Sequence, residues 1–316
     1  MTGLTAIIKK ELTDHVSSYR FLLLFALIAM LSLITVYLAG QHITQELEGV
    51  AKPQHVFLML FTAAGIRFSL TQFVAFFGPL LGLLLGFDTI NRERNEGTLS
   101  KLLSQPIYRD AVINGKFLAG VIVIAVMMTS IVLVITGWGL IAVGVTPGLD
   151  EVGRIGIYLL LSILYIAFWL GVAILFSILF RSVATSALAA LAIWLFFSFF
   201  ISLGASLVAG ALAPDSTDPA ALIERLKLER AISLVSPMEL YTSGTIAIID
   251  PMRRTTRMFM HIGRLERLSL ERFSGPLPLA QSVLVVSPYL ITLVAITILC
   301  FAISYTVFMR QEIRSL

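Results

Sequence analysis

The sequence predicts an all-α polytopic membrane protein: six transmembrane helices, an N-terminal amphipathic helix, a short lateral helix between spans two and three, and a large extracytoplasmic loop between spans five and six. Three observations carry that prediction. Hydrophobic residues make up 58% of the chain and charged residues 13%, whereas an ordinary soluble chain is roughly 45–50% apolar. The apolar residues gather into six runs that reach or approach the roughly 20 residues a helix needs to cross a bilayer. Basic residues fall unequally on the short loops, which is a signal of membrane orientation. The net charge of +4 is read in the same way, as a topology signal, and says little about nucleic acid, which is not expected as a partner. The single cysteine, Cys300, sits inside an apolar run, so neither an intrachain disulfide nor a thiol metal cluster is available.

In order along the chain, residues 2–16 read as the amphipathic helix. Leu4, Ile7, Ile8, Leu12 and Val16 line one face, with Lys9, Lys10, Thr13 and Asp14 mostly opposite. Such a helix lies in the interface plane. Residues 21–39 are long for the apolar core of a cleaved leader, and Glu11 and Asp14 precede them, so the first span is placed at about 21–40. A mixed connector with His42, Lys52, Pro53 and His55 leads to Arg67 and the second span, 67–90. A polar segment separates it from the third, 113–145, after which Thr146-Pro147-Gly148 marks a turn. Arg154 leads into the fourth span, 155–180, and Arg181-Ser182 is the brief break before the fifth, 183–213. The outer loop, 214–282, and the sixth span, 283–309, complete a single transmembrane domain over 1–316.

The outer loop carries its own signals. Asp218-Pro219 is a helix start, an acid at the N-cap followed by proline in the first turn. Leu222, Ile223 and Leu226 share a face of a helix that runs to about Ser233 and is stopped by Ser236-Pro237. Residues 253–272 are basic and partly amphipathic, as a solvated surface is, or a face for anionic headgroups or an extracytoplasmic partner.

With both ends inside, the cytosolic pieces hold eleven Lys and Arg residues and the short outer loops three, Lys52, Arg67 and Arg154. That asymmetry favours a multi-pass protein with both termini cytosolic. The long outer loop holds nine more, but long loops translocate largely regardless of charge.

The polar segment 91–116 reads NRERNEGTLSKLLSQPIYRDAVINGK. Gly97 breaks the chain before a short helix over 98–104, in which Leu99, Leu102 and Leu103 share one face. Pro106 ends it, and a new helix starts near Arg109 and Asp110. The run Glu96-Gly97-Thr98-Leu99, then Leu102-Leu103-Ser104, Pro106, Arg109 and Gly115-Lys116, resembles the permease subunits of ABC-2-type ABC transporters. Residues 236–245, SPMELYTSGT, and the last span with its polar tail are similar to the same family, so the resemblance touches the whole chain.

The resemblance implies a plasma-membrane permease subunit of an ATP-driven transporter, an exporter of an amphiphilic or hydrophobic substrate. It implies that Glu96, Gly97, Thr98, Leu99, Leu102, Leu103 and Arg109 couple to a separate ABC ATPase subunit, the lateral helix being the coupling helix. Leu4, Ile7, Ile8 and Leu12 would form the interfacial helix beside that ATPase. ATP and magnesium are expected in the ATPase and no cofactor in this chain. Two copies, or this chain with a second permease, would pair in the membrane among lipid. The alternative is a non-transporting mechanical transmitter to an extracytoplasmic partner.

Other chemistry is excluded by what the spans lack. No Asp, Glu, Lys, Arg or His lies in the core of any of the six runs, and ion-coupled carriers need ionisable groups at membrane depth. No Gly-x-x-x-x-Gly-Lys-Ser/Thr phosphate loop occurs, so the chain is not expected to be an enzyme that hydrolyses ATP itself. The four histidines lie outside the runs without zinc-type spacing. Gly78, Pro79, Gly82 and Gly86 in the second span, and Gly204 and Gly210 in the fifth, permit close helix approach or an apolar pathway.

Overall fold

The fourth span is the axis on which the other helices are hung. The architecture is that of a computed structural model that describes residues 2–46, 55–62, 69–99, 104, 107–144, 146–212, 219–250 and 277–311. The described residues contain α1 (Thr2–Val16), α2 (Tyr19–Glu46), α3 (Val56–Thr62), α4 (Leu70–Gly86), α5 (Asn91–Asn95), α6 (Arg109–Val143) and α7 (Leu149–Leu179). They continue with α8 (Val183–Leu195), a π turn (Phe196–Phe200), α9 (Ile201–Leu212), α10 (Pro219–Ser233), α11 (Pro237–Ile249) and α12 (Leu279–Arg310). Among the described residues six stretches are long and apolar enough to cross a membrane: Tyr19–Gln41, Leu70–Asn95, Arg109–Ile141, Leu149–Leu179, Val183–Leu212 and Leu279–Arg310. No strand occurs among the described residues.

α7 packs against α4, α6, α11 and α12. Its Tyr158, Tyr165 and Trp169 are fully buried. Hydrocarbon offers no hydrophobic drive between helices, so tight packing and internal hydrogen bonds hold them together. Small residues supply the first. A Cβ on Gly82 would stand 2.5 Å from the Ile166 carbonyl oxygen and 2.8 Å from the Leu170 nitrogen. One on Gly86 would stand 2.7 Å from Ala173 Cβ. The glycines at four-residue intervals in α4 thus bring its backbone onto that of α7. Buried hydroxyls supply the second. Pro79 has no N–H to give to the carbonyl of residue 75, and the Tyr165 hydroxyl donates to that oxygen instead, at 2.8 Å. In α12 Pro288 leaves the carbonyl of Leu284 free in the same way, and Ser287 Oγ donates to it at 2.9 Å.

In the loop between the fifth and sixth spans the helix expected over 218–233 is present as α10, and a second helix, α11, follows it and packs into the bundle. α10 and α11 meet at a bend of 114°. α11 is buried along nearly its whole length against α12, α7 and α4. Its thirteen residues, PMELYTSGTIAII, span about 20 Å, too short to cross a bilayer. With α10 it forms a sharply bent pair whose second arm is built into the bundle. Tyr241 stacks on Tyr165 with centroids 4.5 Å apart, and its hydroxyl lies 3.0 Å from Ser162 Oγ. Ser236, the N-cap of α11, donates its hydroxyl to the Phe197 carbonyl at 2.8 Å, satisfying a group inside the π turn.

Arg154 closes this end of the molecule. The sequence places it in a short outer loop, yet it is fully buried. Its Nε pairs with Asp150 at 2.7 Å, Nη1 donates to the Ile248 carbonyl and to Ser282 Oγ, and Nη2 donates to the Leu277 carbonyl at 2.6 Å. One guanidinium thus ties α7, α11 and the start of α12. Glu151 beside it accepts from Phe57 N at 3.1 Å and Gly148 N at 2.9 Å, which seats α3. The residues 251–276, including the basic stretch 253–272, lie outside the described residues.

Candidate functional site

At the opposite end of the bundle the polar segment and α1 meet. α5 begins at Asn91, whose backbone N–H and that of Ile90 donate to Ser177 Oγ of α7 at 3.2 and 2.9 Å. Asn95 Nδ2 donates to the Arg181 carbonyl at 3.1 Å, and Ser186 Oγ to the Phe87 carbonyl at 2.8 Å. α5 stops at Gly97, whose φ of +68° is a left-handed conformation that favours glycine. These bonds fasten the start of the segment to the ends of the fourth and fifth spans.

α1 lies against the start of α6. Ile7 Cγ2 is 2.7 Å from where a Cβ on Gly115 would stand, with Leu4 beside it. Ile7 is buried, and Leu4, Ile8 and Leu12 are half-buried. Val16, read from the sequence as part of the same face, is 56% exposed. The stripe is interrupted by an acid, Glu11, which is itself buried. Its Oε1 is 2.7 Å from Lys116 Nζ of α6, and Lys116 is also 3.0 Å from Glu93 Oε1 of α5. Lys10 completes the network, 2.7 Å from Glu93 and 3.4 Å from Glu11.

Three elements distant in sequence therefore share one buried cation. Burial alone would push the Glu11 carboxyl up, but the Lys116 and Lys10 ammoniums overcome it and hold its pKa below the ordinary value. Burial likewise opposes the charge on Lys10, and the Glu93 and Glu11 carboxylates outweigh it, so its pKa is raised. For His15, burial dominates and the pKa falls, which leaves the ring neutral near pH 7.

Beside this network opens a cleft of about 590 Å³, lined among others by His15, Arg20, Asp88, Arg92, Glu93 and Lys116. Arg20 pairs with Asp88 at 3.5 Å and Arg92 with Glu96 at 3.0 Å. Among the described residues no cluster of His, Cys, Asp and Glu could hold a metal ion.

Residues 5–313 match the family described as ABC-2 family transporter protein. The chain belongs to that family. It is also similar to the "Probable ABC transporter permease protein NosY" of Pseudomonas aeruginosa, 31% identical over 176 residues that cover 52% of this chain and 62% of that relative. The match thus spans less than two thirds of the relative's length.

In this member of the ABC-2 family the residues singled out in the polar segment take different places. Glu96 is half-exposed and paired with Arg92, and Gly97 is exposed at the turn. Thr98 donates its hydroxyl to the Glu93 carbonyl at 3.2 Å. Leu99 is only 1% exposed, so it belongs to the core of this chain and is not on a free ridge. Leu102 and Leu103 lie outside the described residues, as does most of the lateral helix 98–104. Arg109 reaches the last span, its Nη1 and Nη2 donating to the Met309 and Gln311 carbonyls at 3.5 and 3.3 Å. It satisfies carbonyls that the end of α12 leaves without helical partners. Gln311 in turn donates to the Ile178 carbonyl at 2.9 Å and accepts from Arg94. Sequence reasoning missed the roles of Glu11, Glu93 and Lys116. The available signal was Glu11 itself, an acid four residues after Ile7 on the apolar face of a helix.

Proposed function

We propose that this chain is the permease subunit of an ATP-driven ABC exporter, and that a separate ABC ATPase docks on the end formed by α1, α5 and the 96–109 segment. The observation that carries the reading is the joining of four elements at that end. α1, α5, the start of α6 and the end of α12 are held by the Lys116 network and by Arg109. A displacement applied to the segment is thereby delivered to the second, third, fourth and sixth spans together, which is what coupling to ATP binding requires. The exposed Glu96–Gly97 turn and the segment's Leu102 and Leu103 offer the grip, since a few anchors carry most of an interface's energy.

Both termini and this end are cytosolic in the proposal, supported by the distribution of basic residues. Magnesium and ATP belong to the ATPase, and two copies of the permease pair in the membrane. The solute is an amphiphile or an apolar molecule. An apolar wall supports this: Phe76 meets Phe77, Trp194 and Phe199 with ring centroids 5.1, 5.2 and 6.2 Å apart.

The test is the Leu102→Asp/Leu103→Asp variant, purified with the ABC ATPase that accompanies the wild-type chain. The expected result is normal membrane insertion with loss of ATPase copurification or of its solute- or lipid-stimulated activity. Wild-type copurification together with wild-type stimulation would show that the segment is not the coupling element.

A further inference from the structure

We propose that the cleft at the elbow between α1 and α2 holds the headgroup of a phospholipid that carries both a phosphodiester and a primary ammonium. The cleft of about 590 Å³ adjoins a hollow of about 470 Å³ lined by Asp14, Ser17, Ser18, Tyr19, Arg20 and Arg92. Each lies in the roughly 300–1,000 Å³ range of small-molecule sites. Their place along the spans is the headgroup layer. The first span, Tyr19–Gln41, has 23 residues. That is about 34 Å against a hydrocarbon core of about 30 Å, so its first turn lies at the membrane edge. Asp88, which lines the cleft from the second span, is about 27 Å along the axis from Leu70, where that span starts. Toward the spans the lining is apolar, formed by Phe21, Leu84 and Leu85. Tyr19 at the mouth is 83% exposed and Leu23, one turn on, is 73% exposed. An occupant with acyl chains therefore has bare apolar surface beside the cleft to lie along.

Charge selects the headgroup. Lys10, Lys116, Glu11 and Glu93 are committed to the buried network. Among the described residues around the cleft, that leaves two cations, Arg20 and Arg92, and three anions, Asp14, Asp88 and Glu96, with His15 neutral. Glu96 is taken by Arg92 at 3.0 Å, but the centre is loose. Arg20 and Arg92 approach Asp88 Oδ2 only to 3.5 and 4.0 Å, beyond the roughly 2.7–2.9 Å of a charge-assisted hydrogen bond. A purely basic pocket would take an anionic lipid. Here an anion alone would face three carboxylates, and a cation alone two guanidiniums, whereas a zwitterion suits both. Its phosphodiester accepts from Arg20 and Arg92, and its ammonium donates to Asp88 and Asp14. A trimethylammonium has no N–H to donate, and the aromatic cage that recognises one is not formed by a lining whose benzene rings are Tyr19 and Phe21. The site lies at the docking end, but it rests only on the chain being in a bilayer, whatever solute is exported.

The test is native mass spectrometry of the purified full chain in detergent, titrated with dioleoyl phosphatidylethanolamine, phosphatidylcholine or phosphatidylglycerol. The ethanolamine lipid should bind about 10-fold more tightly than the other two, the worth of one hydrogen bond to a charged group. Asp88→Asn should lose most of that preference. Arg20→Gln with Arg92→Gln should weaken all three lipids by about 10-fold or more, because all three carry the phosphodiester, and should leave the preference in place. Asp110→Asn, outside the cleft, should behave as the wild type. Asp14→Asn, whose side chain is 61% exposed, gives the same reading if Asp88→Asn does not accumulate. Equal binding of the three lipids overturns the site, as does a preference that both aspartate variants retain or that Asp110→Asn also loses. Displacement of the lipid by equimolar sn-glycero-3-phosphoethanolamine would assign the cleft to a soluble zwitterion and overturn the lipid. None of these outcomes touches the docking proposal, which is read by ATPase copurification.

Discussion

Removing the ammonium of Lys116 should release α1 from the bundle. In Lys116→Met the methionine fills the space of the lysine stem, but Glu11, 7% exposed, and Glu93, 12% exposed, lose their shared cation. Breaking a buried ion pair from one side costs about 3–5 kcal/mol. Two features reduce that here: Lys10 still lies 2.7 Å from Glu93, and the neighbouring cleft admits water to the carboxylates. About 2–3 kcal/mol is then the expected loss, felt first as local opening of α1. Amide hydrogen exchange of residues 4–12 in the purified protein should accelerate about 30- to 150-fold. Lys116→Met with Glu11→Gln should recover most of the loss, because the carboxylate left without a partner is then neutral. Exchange of α1 unchanged in Lys116→Met would refute the argument that this cation seats the helix. Loss in the double variant equal to that in the single one would assign the effect to packing.

Two further outcomes follow from particular contacts. Gly82→Ala should lower the melting temperature of the detergent-solubilised protein by an amount equivalent to about 1–3 kcal/mol, since its Cβ meets backbone atoms of α7. Gly137→Ala, where nothing stands within 4 Å, should be neutral or slightly stabilising; equal effects would discard the close-approach account. The His15 pKa is depressed by burial below the ordinary 6.5, so the unfolded or undocked helix takes up protons first, and stability falls as pH drops below that value. Exchange of α1, taken relative to the intrinsic amide rate at each pH, should rise between about pH 7 and pH 5 and stay flat in His15→Gln; a flat wild-type ratio would remove His15 from the balance.

The class of molecule was legible in the amino-acid sequence. Long runs of apolar side chains have one stable setting, a helix in lipid with its backbone bonds closed internally, and six of them mark six spans whatever their arrangement. The sequence also located the short turn at Gly97, because an isolated glycine after a charged helix and before a leucine run is a local event. The family was legible for the same reason, in contiguous residues of the 91–116 segment.

What the tertiary structure decided is which polar residues are inside. Arg154 and Lys116 read from the sequence as loop and boundary charges, marks of orientation only. Their burial depends on partners 94 to 128 residues away for Arg154, and 105 for the Lys116–Glu11 pair. The buried helix α11 was hidden for a similar reason. Its thirteen residues are too few to announce a span, and only packing against the face of α7 that carries Tyr165 makes a buried helix of them. Leu99 is buried in this chain by the same logic. An apolar face is visible in a periodic pattern, but the surface that covers it is chosen by the fold. Charges at membrane depth are stable only where the rest of the chain, or water that the chain admits, supplies what lipid does not.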